Sequence, residues 1–200
     1  MSRPVDFWLY VDVYRVGGTA FSDCQVARMV ERTNSKLTAT GIQVAVNSTT
    51  HIDEPSFAYV SYQVSPRQNI HRLLAYGAGP EKTLRLFLVK WDADNRYGSW
   101  TFDPLDQGLD VDLWGGAIFI TELFNDNDND RYVDMGYLPQ NDTLLHEIGH
   151  VLLQEKDHYS GPHYNFLHED SSWADDTIFP DQIAKMHGDG TAPSPYLVCA

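Results

Sequence analysis

Apolar and polar residues alternate along residues 5–16. Phe7, Leu9, Val11 and Val13 fall on one face and Trp8, Tyr10, Asp12 and Tyr14 on the other, a period-two pattern that predicts a β-strand. Gly17-Gly18 turns the chain, and Ser22 with Gln25 forms an S-x-x-Q capping box opening a helix that carries Val26, Met29, Val30 and Leu37 inward. Beyond Gly41, residues 42–46 (IQVAV) read as a second strand. A β-α-β start of this kind favours adjacent parallel strands joined by a right-handed crossover.

The alternation returns at 57–64 (FAYVSYQV), a further predicted strand. Ser65, Pro66 and Gln68 open a short helix with Ile70, Leu73 and Leu74 inward, ended by Gly77. Residues 84–89 (LRLFLV) give a strand whose apolar face is Leu84, Leu86 and Leu88. The stretch 91–115, rich in Trp, Asp, Asn and Gly, reads as a long functional or mobile loop. AIFIT at 117–121 predicts a short strand at the sheet edge, where it either pairs with an extended peptide or lies covered by a loop. The run NDNDND at 125–130 has the alternating carboxylates that suit Ca2+, but Arg131 and Tyr137 stand where an EF-hand needs Gly and Glu. A solvated polar loop is the better reading of that run.

The most informative pattern follows Pro139. Asn141 or Asp142 can cap a helix whose apolar stripe is Leu144, Leu145, Ile148, Val151 and Leu152. On that helix His146 and His150 are four residues apart, so their imidazoles share a face with Cβ atoms about 5–6 Å apart. Two such nitrogens suit one Zn2+ ion, and Glu147, beside the first histidine, can reach a water in the open coordination position. The combination HEIGH points to metal-assisted hydrolysis, with Glu147 as general base. Gly149 is costly inside a helix and predicts close approach of another backbone. A tight catalytic site needs a third protein ligand, for which Asp157, His158, His163, His168, Glu169 and Asp170 are the downstream candidates. The segment after the helix is loop-rich until a short helix at 180–187, with Pro180 in its first turn and Gly188 as its stop; the tail, holding Pro193 and Pro195, is extended.

Composition narrows the partners. An apolar fraction of 42% over 200 residues allows a sizeable core in one domain or two small lobes. The net charge of −14 argues against nucleic acid and is compatible with drawing cationic peptide segments towards an acidic cleft. No stretch approaches 18 consecutive apolar residues, so no membrane span is predicted. MSRPVDFWLYV, interrupted by Asp6 and Asp12, does not read as a secretory signal, which suggests a cytoplasmic protein, an excised domain, or export without a cleaved leader. Cys24 and Cys199 could join in one disulfide or remain free thiols.

The β-α-β start, the strand before the helix, HEIGH, and the turn and closing helix after it together resemble the metzincin-type zincins, zinc proteases with the signature H-E-x-x-H-x-x-G-x-x-H and a Met-containing turn. The resemblance implies an α+β fold in which a twisted mixed sheet and the HExxH helix form an upper lobe, 1–152, above a small loop-rich lower lobe, 153–200, in a single catalytic domain. It also implies a zinc endopeptidase acting on protein or peptide substrates. Two positions depart from the signature: Leu153 stands at its Gly and Lys156 at its third His, so the helix end is expected to be longer by one or two residues. Asp157-His158-Tyr159-Ser160-Gly161-Pro162 is similar to the segment of snapalysin-type enzymes in which an Asp is the third ligand. His158 is favoured here, because three neutral imidazoles match the commoner arrangement, with Asp157 as the alternative or as an acceptor orienting a ligand. Asn165-Phe166-Leu167-His168-Glu169 resembles the Met-turn with Leu167 in the Met place. Tyr159, Tyr164 and His163 are candidates for stabilising an oxyanion, and His51, His71 and His187 read as structural or solvent-exposed. Two other functions fit the same residues: a delivered effector or toxin peptidase aimed at one protein or cell-wall peptide, and a non-catalytic zinc-stabilised binding domain.

Overall fold

The computed structural model describes residues 4–19, 21–57, 72–76, 82–90, 99–101, 116–121, 143–155, 157–162, 165–168, 177–189 and 193–200. Strand β1 (Phe7–Val16) is central, flanked by β2 (Ile42–Ile52) and β3 (Thr83–Val89), both parallel to it. Beyond β3 lies β5 (Ala117–Thr121), also parallel, and then β4 (Ser99–Thr101), antiparallel to β5, giving the order β2-β1-β3-β5-β4. A last strand, β6 (Leu197–Cys199), pairs antiparallel with the start of β1. With helices α1 (Asp23–Leu37), α2 (Thr143–Leu153) and α3 (Pro180–Met186), this is the expected α+β architecture built on a mixed sheet.

Both faces of the sheet are covered, which is the usual fate of parallel strands. On one face Leu9, Val11 and Val13 of β1, Leu84, Leu86 and Leu88 of β3, and Ile118 and Ile120 of β5 meet Val26, Met29 and Leu37 of α1 and the apolar residues of α2. Each fully buried Leu or Ile contributes roughly 1.5–3 kcal/mol. On the other face Tyr14, Phe87 and Phe119 stack across three strands at ring-centroid spacings of 4.9 and 5.0 Å, beside Val16, Ile52 and Leu73. The capping box at the start of α1 is present in both directions, Gln25 N–H to Ser22 Oγ and Ser22 N–H to Gln25 Oε1.

Three expectations change. AIFIT is internal, paired on both sides, and the outermost strand next to it is β4, which arises inside the stretch read as a long loop. A three-residue strand is too short to show a period in sequence. Strand β2 runs on to Ile52 through NSTTH, whose side chains are exposed and carry no apolar signal. Asn47 is an extra residue opposite β1 there, and Asn47 Nδ2 and Ser48 Oγ donate to buried Asp12 Oδ1 at 2.9 and 2.5 Å, so the bulge satisfies a buried carboxylate. The tail is not merely extended, because it closes on β1 as β6. Of the predicted strand at 57–64 only Phe57 is described, ending the 3-10 turn Pro55–Phe57; the rest of that strand and the NDNDND run lie outside the described residues, as does most of the helix predicted from Ser65 to Gly77, although Leu73 is buried as expected.

The cysteines are free and exposed. Cys199 is opposite Phe7, whereas Asp23, the neighbour of Cys24, pairs with Arg15 near the far end of β1. Eight residues of strand separate these points, about 26 Å at ~3.3 Å each, against the ~7 Å that a disulfide tolerates between Cα atoms. The possible Cys24–Cys199 bond is therefore excluded. No helix among the described residues is long and apolar enough to cross a membrane.

Candidate metal centre

Helix α2 is buried from Leu144 to Leu153, histidines and glutamate included. It packs on α1, β4, β5 and α3, so no face is left for solvent and the polar residues of HEIGH must be satisfied within the protein. His146 is 7% exposed, Glu147 4% and His150 5%.

Each helical histidine is held from behind by a backbone carbonyl. His146 Nδ1–H donates to Phe166 O at 2.9 Å and His150 Nδ1–H to Glu155 O at 2.7 Å. A carbonyl oxygen only accepts, so each Nδ1 carries a hydrogen and each Nε2 faces forward, with a free lone pair when its ring is neutral. Those two Nε2 atoms lie 3.2 Å apart. Between neutral rings neither has a hydrogen to offer the other, so both point at a position that a cation would stabilise. Burial, and then the fields of His150 and His158, press the His146 pKa down from 6.5 to about 3, which keeps that ring neutral. The Phe166 carbonyl opposes this shift and His168 adds to it.

The third imidazole comes from the chain beyond the helix. Gln154 has φ 53°, and Glu155 N–H returns to His150 O at 3.2 Å, a Schellman-type ending with a non-glycine residue in the left-handed position. The same turn delivers Glu155 O to His150. The left-handed residue directly follows Leu153, the last residue of α2. The exposed His158 then returns over the pair, its ring centroid 5.1 Å from that of His146 and 5.3 Å from that of His150. One possible ligand atom from each of His146, His150 and His158 falls within 4.8 Å of the others, a group able to hold a metal ion. Asp157 is exposed and lies outside that group.

Residues 165–168 form the floor. Phe166 and Leu167 are 0% and 1% exposed, and a Cβ on Gly149 would come within 2.3 Å of Phe166 Cε2 and 2.8 Å of Leu167 Cδ2. The glycine in HEIGH thus admits two side chains of this turn, not another backbone as the sequence suggested. Tyr159 N–H donates to Leu167 O at 3.0 Å, and the Tyr159 ring packs edge-on to Phe179 at 5.5 Å, above Gly161. His163, Tyr164, Glu169 and Asp170 lie outside the described residues. His51 is exposed, and His187 bonds Thr40 O at 2.5 Å with its ring edge-on to Phe7, so both stand apart from the centre as expected; His71 is not among the described residues.

Comparison with solved structures bears on the fold. The chain is similar to metalloproteinase-II from Bacteroides fragilis. The TM-score is 0.56 at 14% sequence identity over 92% of this chain, which spans 53% of that protein, about half its length. At that identity the likeness is one of fold. No family model and no curated protein matches the sequence.

The sequence did not mark the supporting residues. The Phe166 and Glu155 carbonyls are backbone atoms and have no sequence signature. Buried His168 appeared only as a possible ligand, and buried Gln182 was not singled out.

Proposed function

We propose that this chain is a zinc-dependent endopeptidase in which His146, His150 and His158 hold the metal and Glu147 is the general base. The observation that carries the reading is the pair of Nε2 atoms 3.2 Å apart, each ring fixed by a carbonyl on Nδ1, with a third imidazole beside them. Nitrogens about 2.0–2.1 Å from one tetrahedral zinc lie about 3.3–3.4 Å apart, close to this spacing. Three neutral imidazoles suit zinc, whereas Ca2+ prefers oxygen ligands, so no calcium role is assigned to this centre. When bound, zinc supplies Lewis acidity, stabilising negative charge that develops on oxygen and making water nucleophilic at neutral pH.

The chain's own residues do the rest. Glu147, directly after the first ligand on the same helix, takes a proton from the attacking water and delivers it to the departing amine nitrogen. The two carbonyls hold the rings so that binding need not reorganise them. An extended peptide is aligned by β4, the outermost described strand beyond β5, in place of the 117–121 edge first expected. The fold of the Bacteroides fragilis metalloproteinase supports a peptide substrate. We further propose that residues 1–200 act as one catalytic domain, with the cleft between the lobe ending near Leu152 and the remainder. Glu147→Ala should abolish cleavage of a casein or peptide-library substrate while zinc content stays at the wild-type level. Cleavage by that variant at the wild-type rate would refute the assignment.

A further inference from the structure

We infer that Asn165 and Gln182 form an interlocked amide pair that positions two of the three histidines of the metal centre. The inference rests on the reading of His146 and His158 as ligands. Asn165 is 0% exposed and Gln182 on α3 is 8% exposed. Asn165 Nδ2 donates to Gln182 Oε1 at 2.8 Å and to Thr177 O at 3.3 Å, while Gln182 Nε2 donates back to Asn165 Oδ1 at 3.2 Å. Asn165 Oδ1 also accepts from Leu167 N–H at 3.0 Å, and Gln182 Oε1 from Phe179 N–H at 2.9 Å. This set fixes both amides in one orientation, because flipping either would bring donors against donors and acceptors against acceptors. Every hydrogen-bonding capacity of Asn165's amide is used, and a buried pair satisfied in this way is stiff.

What the pair holds is the turn whose backbone touches the centre. Phe166, between Asn165 and the Leu167 N–H that Asn165 Oδ1 holds, accepts at its carbonyl from His146 Nδ1 at 2.9 Å, and its own N–H is tied to Thr177 O at 3.3 Å. Leu167 O accepts from Tyr159 N–H at 3.0 Å, which anchors the residue directly after His158. Helix α3 therefore reaches the turn at 165–167 through the Gln182 side chain, while Lys185 on the same helix pairs with Glu155, whose carbonyl holds His150. Gln182→Met keeps the length of the side chain but leaves Asn165 Nδ2 and Oδ1 and Phe179 N–H each short of a partner. The Phe166 carbonyl and Tyr159 then lose their fixed positions.

The test is zinc affinity by chelator competition, together with the visible spectrum of the Co2+-substituted protein, for wild type, Gln182→Met and Gln182→Glu. Met186→Ala, which empties a buried position on the same helix without touching the pair, serves as the control. Zinc affinity should fall about ten- to a hundredfold in Gln182→Met, with a changed Co2+ spectrum. Gln182→Glu, which keeps the acceptor for Phe179 N–H, should show an intermediate loss. Met186→Ala should lower the melting temperature and leave both metal readouts unchanged. Wild-type affinity and spectrum in both Gln182 variants would overturn the positioning role while leaving the zinc reading intact. Equal metal losses in Met186→Ala would reduce the pair to general stability and also overturn it. A wild-type protein that binds neither metal would overturn both.

Discussion

Replacing Gly149 with alanine sets two effects of known sign against each other. Alanine is favoured over glycine in a helix interior by about 1 kcal/mol, so on helix propensity alone Gly149→Ala should stabilise the protein. The added methyl carbon, however, would lie 2.3 Å from Phe166 Cε2, 2.8 Å from Leu167 Cδ2 and 3.0 Å from Phe166 Cζ. Carbon atoms pack at about 3.5–4.0 Å, so the overlap with the Phe166 ring exceeds ~1 Å. Neither neighbour can step aside easily, since both are buried and the backbone of Phe166 is bonded to His146 and Thr177. Overpacking of this kind costs typically 1–3 kcal/mol, and here it also moves a functional bond. Displacing the turn by ~1 Å would stretch the 2.9 Å bond from His146 Nδ1 to Phe166 O to about 4 Å, beyond hydrogen-bond range. The expected outcome is a net loss of about 0–2 kcal/mol in metal-free denaturant unfolding, the overpacking cost less the helix-propensity gain, with weaker zinc binding in chelator competition. A Gly149→Ala protein that gains the ~1 kcal/mol of helix propensity and keeps wild-type zinc affinity would refute the packing argument.

Other consequences can be checked in the same preparations. His158→Ala should lose metal far more readily than Asp157→Ala in a dialysis assay, and the opposite ranking would make the carboxylate the ligand. In the metal-free protein His146 titrates near 3 when folded and near 6.5 when unfolded, so the unfolded chain binds the extra proton between those values. His146 should therefore make stability fall as the pH drops from about 6.5 to about 3, by ~1.4 kcal/mol per unit, and have no effect above that window. A His146→Gln variant should show a shallower pH slope, and an unchanged slope would count against the buried neutral ring. Gln154 adopts φ 53°, a left-handed conformation that costs a side-chain-bearing residue roughly 1–2 kcal/mol, so Gln154→Gly should raise the thermal midpoint of the metal-free protein. A lower midpoint would mean that the Gln154 side chain stabilises the turn in some other way.

What could be read from the sequence was what repeats with a period or stands at a fixed spacing. The alternation in β1, the capping box of α1 and the heptapeptide TLRLFLV of β3 each carry their structure locally, and the structure follows them. Likewise a spacing of four residues on a helix is enough to bring His146 and His150 together. Residues whose partners lie far along the chain were less legible. Strand β4 is three residues long, and the polar half of β2 is held by pairing with β1 without apolar side chains of its own. The third ligand was left between Asp157 and His158, with His158 favoured, because one residue more or less in the turn after α2 decides which of them faces the pair. That turn depends on Gln154 adopting a conformation that its residue type does not announce. Gly149 signalled close packing correctly, but a missing side chain cannot say whether backbone or side chain will fill the space.

The most direct test of a zinc ion held by three imidazoles is X-ray absorption at the zinc edge on protein loaded with one equivalent of metal. The account predicts a single tight site whose spectrum fits three imidazole nitrogens and one light-atom ligand, with one nitrogen lost in His158→Ala. A chain that retains no zinc after loading, or a wild-type shell with a carboxylate in place of the third imidazole, would contradict it.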